Sequence, residues 1–314
     1  MIALESIKGF FPEELRAGQF AKHILKEYVE CLALEWIARS QWAPRLTFIG
    51  GTNLRLTKDI DRFSEDLDFD CKDLEPEEFV RFTDALIAHL RRNGLNAVSK
   101  EKESDRLTAM RRSILFPGLL HELGLSAFKE ERFMMKVEAQ DQGREYKRVS
   151  ADIRRCGFFF PVTVPNEATL CAMKLSALLT RGKGRDFYDA IFLLQRTEPD
   201  YPFLSAVHPE VTDLKSLKTA LTAKAKSVDL ELKRRDVEHL LFHRELGVLI
   251  EISHLRKIRS HDGFIREVLK LEETYLRLAS LLRLLLSPLY CVIAGSHHLS
   301  PVRIDIIESS RADE

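Results

Sequence analysis

The run Gly50-Gly51-Thr52, followed after a short gap by Arg62-Phe63-Ser64-Glu65-Asp66-Leu67-Asp68-Phe69-Asp70, sets a glycine-rich turn just upstream of acids that alternate along a strand-like segment. Glycine lacks the side chain that blocks close approach, so such a turn can present backbone N–H groups to a phosphate. Asp66 and Asp68 are two apart, and side chains two apart on a strand share a face. Their charges repel unless a cation lies between them, and a hard divalent ion with oxygen ligands suits that place. Leu67 and Phe69 fall on the opposite face. A double glycine also serves ordinary tight turns, and alternating acids also mark solvated strand faces. Together the two features point to a metal-assisted nucleotide site.

Around this centre, Leu46-Thr47-Phe48-Ile49 is a short β-rich run that ends at the glycines. Leu54-Arg55-Leu56 begins a short helix, and residues 66–71 form the second strand. Upstream, residues 12–38 carry Leu15, Phe20, Ile24, Leu25, Tyr28 and Leu32 at helical spacing, giving one long amphipathic helix or a pair. Downstream, a helix is expected over 76–93, stopped by Gly94, with strands over 95–100, 107–116, 132–139 and 158–164 and a helix over 119–128. Asn166 can cap a helix running from Glu167 to about Arg181, because its side-chain oxygen can satisfy a free backbone N–H. Gly182 and Gly184 make the next turn, and another helix covers 185–195. Pro199, Pro202 and Pro209 then crowd a connection, and charged helical patterns over 214–226, 230–243 and 264–286 follow. Residues 1–197 thus read as a mixed α and β domain and 198–314 as a helical C-terminal domain.

The chain has 314 residues, enough to bury a real core. Lys+Arg and Asp+Glu are equal at 48 each, so any nucleic-acid contact must rest on a local basic patch. Basic clusters lie at Arg91-Arg92, Arg111-Arg112, Arg154-Arg155 with Lys147 and Arg148, Lys233-Arg234-Arg235, and Arg256-Lys257 with Arg259. Arg181-Gly182-Lys183-Gly184-Arg185 is the best placed of these, and charge runs in general are solvated faces. No uninterrupted apolar window is long enough to span a membrane; the greasiest stretch, 276–289, is broken by Arg277 and Arg283. Five scattered cysteines without a C-x-x-C pair argue against a disulfide framework or a zinc ribbon and fit a reducing cytoplasm. His297-His298 lacks a third metal partner and reads as surface loop.

The motif Gly-Gly-Thr-x-Leu followed by Arg-Phe-Ser-Glu-Asp-Leu-Asp-Phe resembles the nucleotidyltransferases of the AbiEii/AbiGii toxin family, relatives of the MenT toxins within the DNA-polymerase-β-like superfamily. The resemblance continues at Lys174-Leu175-Ser176-Ala177-Leu178-Leu179-Thr180-Arg181 and Arg185-Asp186-Phe187-Tyr188-Asp189, and covers about residues 40–197. It implies an α+β fold, a mixed sheet flanked by helices. It marks Ser64 as a donor near the phosphates, Asp66 as the essential metal ligand, Lys174 as a triphosphate contact and Asp189 as an active-site residue, while Asp186 reads equally as structural. Superfamily chemistry often adds a third carboxylate from a neighbouring strand; Glu138 in Lys136-Val137-Glu138 is the best candidate, with Asp141 a nearby competitor. Arg181, seven residues beyond Lys174, shares its helix face and would add a fork of donors.

The expected chemistry is nucleotidyl transfer. Mg²⁺ or Mn²⁺ on Asp66, Asp68 and Glu138 would bridge a nucleoside triphosphate held by Gly50, Gly51, Thr52, Ser64, Lys174 and Arg181. By the same resemblance the acceptor is RNA, a tRNA 3′ end, so that translation stops, and an antitoxin of the AbiEi-like or another regulatory type is encoded alongside. Two alternatives stand beside this reading: a protein or small-molecule hydroxyl as acceptor, or a binding subunit in which the acids are a relic.

Overall fold

Strand β1 (Leu46–Ile49) delivers the chain to the double glycine, and β2 (Asp66–Cys71) returns antiparallel beside it, with Ile49 opposite Asp68. The coordinates are a computed structural model that describes residues 3–100 and 110–243. Contacts divide the chain into two compact units, Met1–Lys257 and Ile258–Glu314, and every described residue belongs to the first. The helix expected over 264–286, the His297-His298 pair and the Arg256–Arg259 cluster lie outside the described residues.

A mixed five-stranded sheet carries the site. Its order is β1-β2-β5-β4-β3, where β3 is Val98–Ser99, β4 is Met110–Leu115 and β5 is Met134–Gln140. β2 and β5 run parallel, setting Asp66 beside Lys136 and Asp68 beside Glu138. β4 pairs antiparallel with β5 and sets Arg111 opposite Glu138. Parallel neighbours need a long crossover; here α4 (Pro76–Arg92) and the β3–β4 hairpin supply it.

The helices lie as follows. α1 (Leu4–Lys8) and two 3₁₀ turns lead into α2 (Ala21–Arg39), so the long helix expected over 12–38 begins only at Ala21. α3 (Gly50–Lys58) starts at the glycines themselves, four residues before the expected Leu54. Short α5 (Leu119–Glu122) replaces the longer helix expected over 119–128. There Gly124 adopts φ +68° and Leu125 N–H returns to the Leu120 carbonyl, a left-handed stop that satisfies the last carbonyls. A separate hairpin, β6 (Arg148–Arg155) and β7 (Phe158–Pro165), follows. Its first strand contains arginines that read in sequence only as a basic cluster. α6 (Glu167–Thr180) is capped as expected, Thr169 N–H donating to Asn166 Oδ1 at 2.8 Å. α7 (Gly184–Leu194), α8 (Tyr201–Ser205), α9 (Leu214–Lys226) and α10 (Leu230–Glu238) complete the described chain.

Two cores result. One fills the space between the sheet, α2 and α4, with Leu67 and Phe69 of β2 buried in it, so the apolar face of the alternating strand packs inward as its pattern requires. The other joins Leu54 and Ile60 to Leu175 and Phe187, and to Leu217, Val237 and Leu241 from beyond residue 197. This cluster draws residues from both sides of position 197. The segment after α10 also reaches the loop before β2: Phe63 N–H donates to the Leu240 carbonyl, Phe242 N–H to the Asp61 carbonyl, and Arg62 bridges to Leu241.

Candidate active site

Gly50 ends β1 and opens α3 at φ +84°, a left-handed conformation that favours glycine. A Cβ on Gly50 would lie 2.8 Å from the Asp68 Cβ, and one on Gly51 would lie 2.7 Å from both Arg62 Nη2 and Ser64 Oγ. Both glycines are therefore demanded by close approach, and they bring the start of a helix against the acidic strand. A helix start offers unpaired N–H groups and a partial positive charge to an anion. Thr52 does not face this cradle: it is fully buried, and its hydroxyl donates to the Asp66 carbonyl at 2.6 Å, tying α3 to β2.

Asp66 and Asp68 project from one face of β2 into a cavity of about 230 Å³, bounded also by Gly50, Gly51, Ser64 and Glu138. Burial pushes the Asp68 carboxyl up to about 6; Lys174 opposes that shift, and the Glu138 and Asp66 carboxylates add to it. Asp66 Oδ1 stands 3.4 Å from Lys136 Nζ. Glu138 is held by Arg111 across the β4–β5 ladder, with contacts of 2.7 and 2.9 Å. The expected three-carboxylate set is thus a pair of acids beside a third that already has a counterion. Among the described residues no group of three or more acids, histidines or cysteines gathers to hold a metal. The Asp66–Asp68 pair does fit one hard divalent ion whose remaining ligands are phosphate oxygens and water: two carboxylates share a face, and burial with the neighbouring Glu138 and Asp66 carboxylates disfavours the charge on Asp68, which a cation between the acids would offset.

Cations line the opposite wall: Lys174, Arg181, Lys183 and Arg185, with Arg62 deeper. Lys174 Nζ lies 2.8 Å from Asp189 Oδ2. Arg62 grips the same carboxylate with both fork nitrogens, Nε at 2.6 Å and Nη2 at 2.8 Å, while Nη1 donates to the Phe63 carbonyl. Asp189 is 0% exposed and does not border the cavity. It orients Lys174 and Arg62 from behind, so among the expected site residues it is a positioning group, as Thr52 is. Burial opposes its charge, but Arg62 and Lys174 together hold its carboxyl down at about 2. Arg181 lines the cavity while bonded in a fork to Asp186 at 2.9 and 2.8 Å, and Asp186 also accepts from Lys183 N–H, which makes Asp186 the structural cap of α7.

The geometry thus sets Gly50, Gly51, Ser64, Asp66, Asp68, Glu138, Lys174 and Arg181 around one cavity, and leaves Thr52 and Asp189 behind its wall. It adds Arg62 and Lys136, which sequence reasoning gave no role, and Arg111, which read only as part of a basic cluster. Arg62 stands inside the first motif, and Lys136 shares the alternating face of Glu138.

A family model described as "Nucleotidyl transferase AbiEii toxin, Type IV TA system" matches residues 32–243, taking in the whole of this site and the helices behind it. The chain belongs to the AbiEii family. It is accordingly a nucleotidyltransferase of a toxin–antitoxin family. No curated protein matches. Among solved structures, MenT4, a nucleotidyltransferase toxin from Mycobacterium tuberculosis H37Rv, is similar in fold, with a TM-score of 0.52 at 16% identity, covering 84% of this chain and 99% of that one. JHP933 from Helicobacter pylori aligns at a TM-score of 0.44 and 17% identity over 81% of this chain and 97% of its own. At such identities the likeness is one of fold alone. No described helix is long and apolar enough to cross a membrane.

In this AbiEii protein Gly50→Ala is expected to lower kcat for nucleotide transfer about a hundredfold, the scale of an ångström's misplacement of a reacting group. The added methyl must push Asp68 aside, and the left-handed φ costs about 1–2 kcal/mol more. Steady-state rates together with a thermal melt check both effects.

Proposed function

We propose that this AbiEii nucleotidyltransferase transfers a nucleoside monophosphate from a triphosphate to the 3′ end of an RNA, a tRNA in the first instance, and so blocks translation; its antitoxin is a separate protein encoded beside it. The observation that carries this reading is the single cavity in which the Gly50–Gly51 cradle and Lys174 face Asp66 and Asp68. Helix-start N–H groups at Gly50 and Gly51, with Ser64, would receive the triphosphate oxygens. Lys174, held by Asp189, would meet them as a directed point charge, and Arg181, Lys183 and Arg185 would hold the outer phosphates. Asp66 and Asp68 would hold Mg²⁺ or Mn²⁺, which when bound neutralises charge on the phosphates and polarises the reacting phosphorus. Glu138, already paired with Arg111, would serve as an electrostatic neighbour of that pair rather than as its third ligand. The residues here fix positions and charge, and no covalent enzyme intermediate is required.

The test is incubation of the protein with each of the four α-labelled triphosphates, total RNA and total protein, in Mg²⁺ and in Mn²⁺. Label in a tRNA band with release of pyrophosphate is the expected result. Label in protein alone would replace RNA as the acceptor, and no label in any fraction would sink the proposal.

A further inference from the structure

A second cavity, of about 350 Å³, adjoins the first and shares with it only Asp66 and Lys136, the pair set side by side on β2 and β5. The glycine cradle, Ser64 and Lys174 border the first cavity and not the second. A transfer reaction needs two ligands that reach one centre from different sides, the nucleophile entering opposite the leaving group. A chamber that touches Asp66 and lacks the triphosphate grip has the placement of an acceptor site.

Its walls carry four cations, Lys22, Lys26, Arg132 and Lys136, and three acids, Glu65, Asp66 and Glu131. Lys22 and Lys26 stand one turn apart on α2, and Arg132 and Lys136 lie along the approach to β5 and on it. Lys22 is paired with Glu131. Lys26 is different: its side chain is 13% exposed, its nearest acid oxygen, on Glu65, is 4.0 Å away, and no acceptor among the described residues lies within hydrogen-bond reach of its Nζ. The Lys26 ammonium thus has only a long contact to Glu65 and no hydrogen-bond acceptor within reach, an arrangement that favours an incoming anion. The nearby Glu30 carboxyl lies outside this lining; burial raises its pKa well above the usual range, and its Oε1 has no hydrogen-bond partner. His23 adds an aromatic ring stacked on Phe63 at 5.1 Å, a surface type on which bases of any sequence can stack.

We infer that this second cavity receives the acceptor as a single-stranded RNA end, with Lys22, Lys26 and Arg132 on its phosphates and its terminal hydroxyl brought to Asp66. The inference rests on the nucleotidyl-transfer reading for its purpose, while binding can be measured without it. A repeating anion matches cations spaced along α2 and along the approach to β5, whereas a protein hydroxyl brings no such repeat.

The experiment titrates the full-length protein into a 5′-fluorescein-labelled single-stranded RNA hexamer with a free 3′-hydroxyl, following anisotropy at several salt concentrations. A parallel titration uses the four fluorescent mant-nucleoside triphosphates. Lys22→Gln/Lys26→Gln keeps the stems and removes both charges. It is expected to weaken hexamer binding tenfold or more and to reduce the slope of log K against log salt by roughly 1.4, the value for two single-strand phosphate contacts. Triphosphate affinity should stay within about twofold. Arg132→Gln on the facing wall should weaken the hexamer in the same direction, which guards against local damage to α2. Hexamer binding unchanged in both variants, or triphosphate binding weakened equally, overturns the inference. A wild-type protein that binds the hexamer through these residues but labels no acceptor with any triphosphate supports the site and overturns the transfer reading alone.

Discussion

Asp189→Ala lowers the stability of the fold by about 3–5 kcal/mol, the usual cost of removing one partner from a buried ion pair. For a unit of this size that is a fall in melting temperature of roughly 6–20 °C. The reason is local. Arg62, with no exposed surface, and Lys174, at 7%, both lose their counterion while remaining out of water. Asp189→Asn keeps the shape and some of the hydrogen bonds, so it should fall between wild type and alanine, and its effect on catalysis should be a raised KM for the triphosphate through a misdirected Lys174. The same carboxylate sets an acid limit. Its pKa in the fold is about 2 against an ordinary 3.8, so its contribution is complete above about pH 4 and is lost as the pH falls toward 2. Thermal melts between pH 5 and 2 should converge for wild type and Asp189→Asn at the acid end. Curves that stay parallel throughout would show that the pair contributes no charge-dependent stability.

Asp66→Asn is expected to reduce nucleotide transfer about a thousandfold while leaving the melting temperature within a few degrees of wild type. On the proposed role of Asp66, losing one ligand to a charge-neutralising ion would remove about 4 kcal/mol of transition-state stabilisation, and 1.4 kcal/mol is about tenfold in rate. Stability should survive because the side chain borders a cavity rather than the core and its closest cation, Lys136, is 3.4 Å away and partly exposed. Rates at saturating triphosphate, with circular dichroism melts, separate the two effects. Full activity in this variant would remove Asp66 from the reaction and with it the metal-binding role of the strand.

Much of the sheet around the site was legible because its signals are local. The alternation in residues 66–70 forces one face inward, and the double glycine closes the preceding strand, so β1, β2 and the capped α6 follow from short-range rules. The parts that escaped depend on partners distant in the chain. Arg62 has meaning only beside Asp189, 127 positions later. Glu138 reads as a free acid until the β4–β5 register sets Arg111 against it. The strand 148–155 was masked by its arginines, because the hairpin exposes one face to water and tolerates charge there. Thr52 followed the glycines into the motif, yet its hydroxyl is engaged by the backbone of β2.

The pinning of residues 240–242 onto the loop at 61–63 has a consequence for the order in which the protein matures on the ribosome. The loop that aims Arg62 and leads into Ser64 has a late-made partner, so a nascent chain that ends before Leu240 holds both sequence motifs and no finished site. Competence for nucleotide transfer would then arrive only after some three-quarters of the polypeptide has been synthesised, and a product of premature termination upstream of that point would lack it.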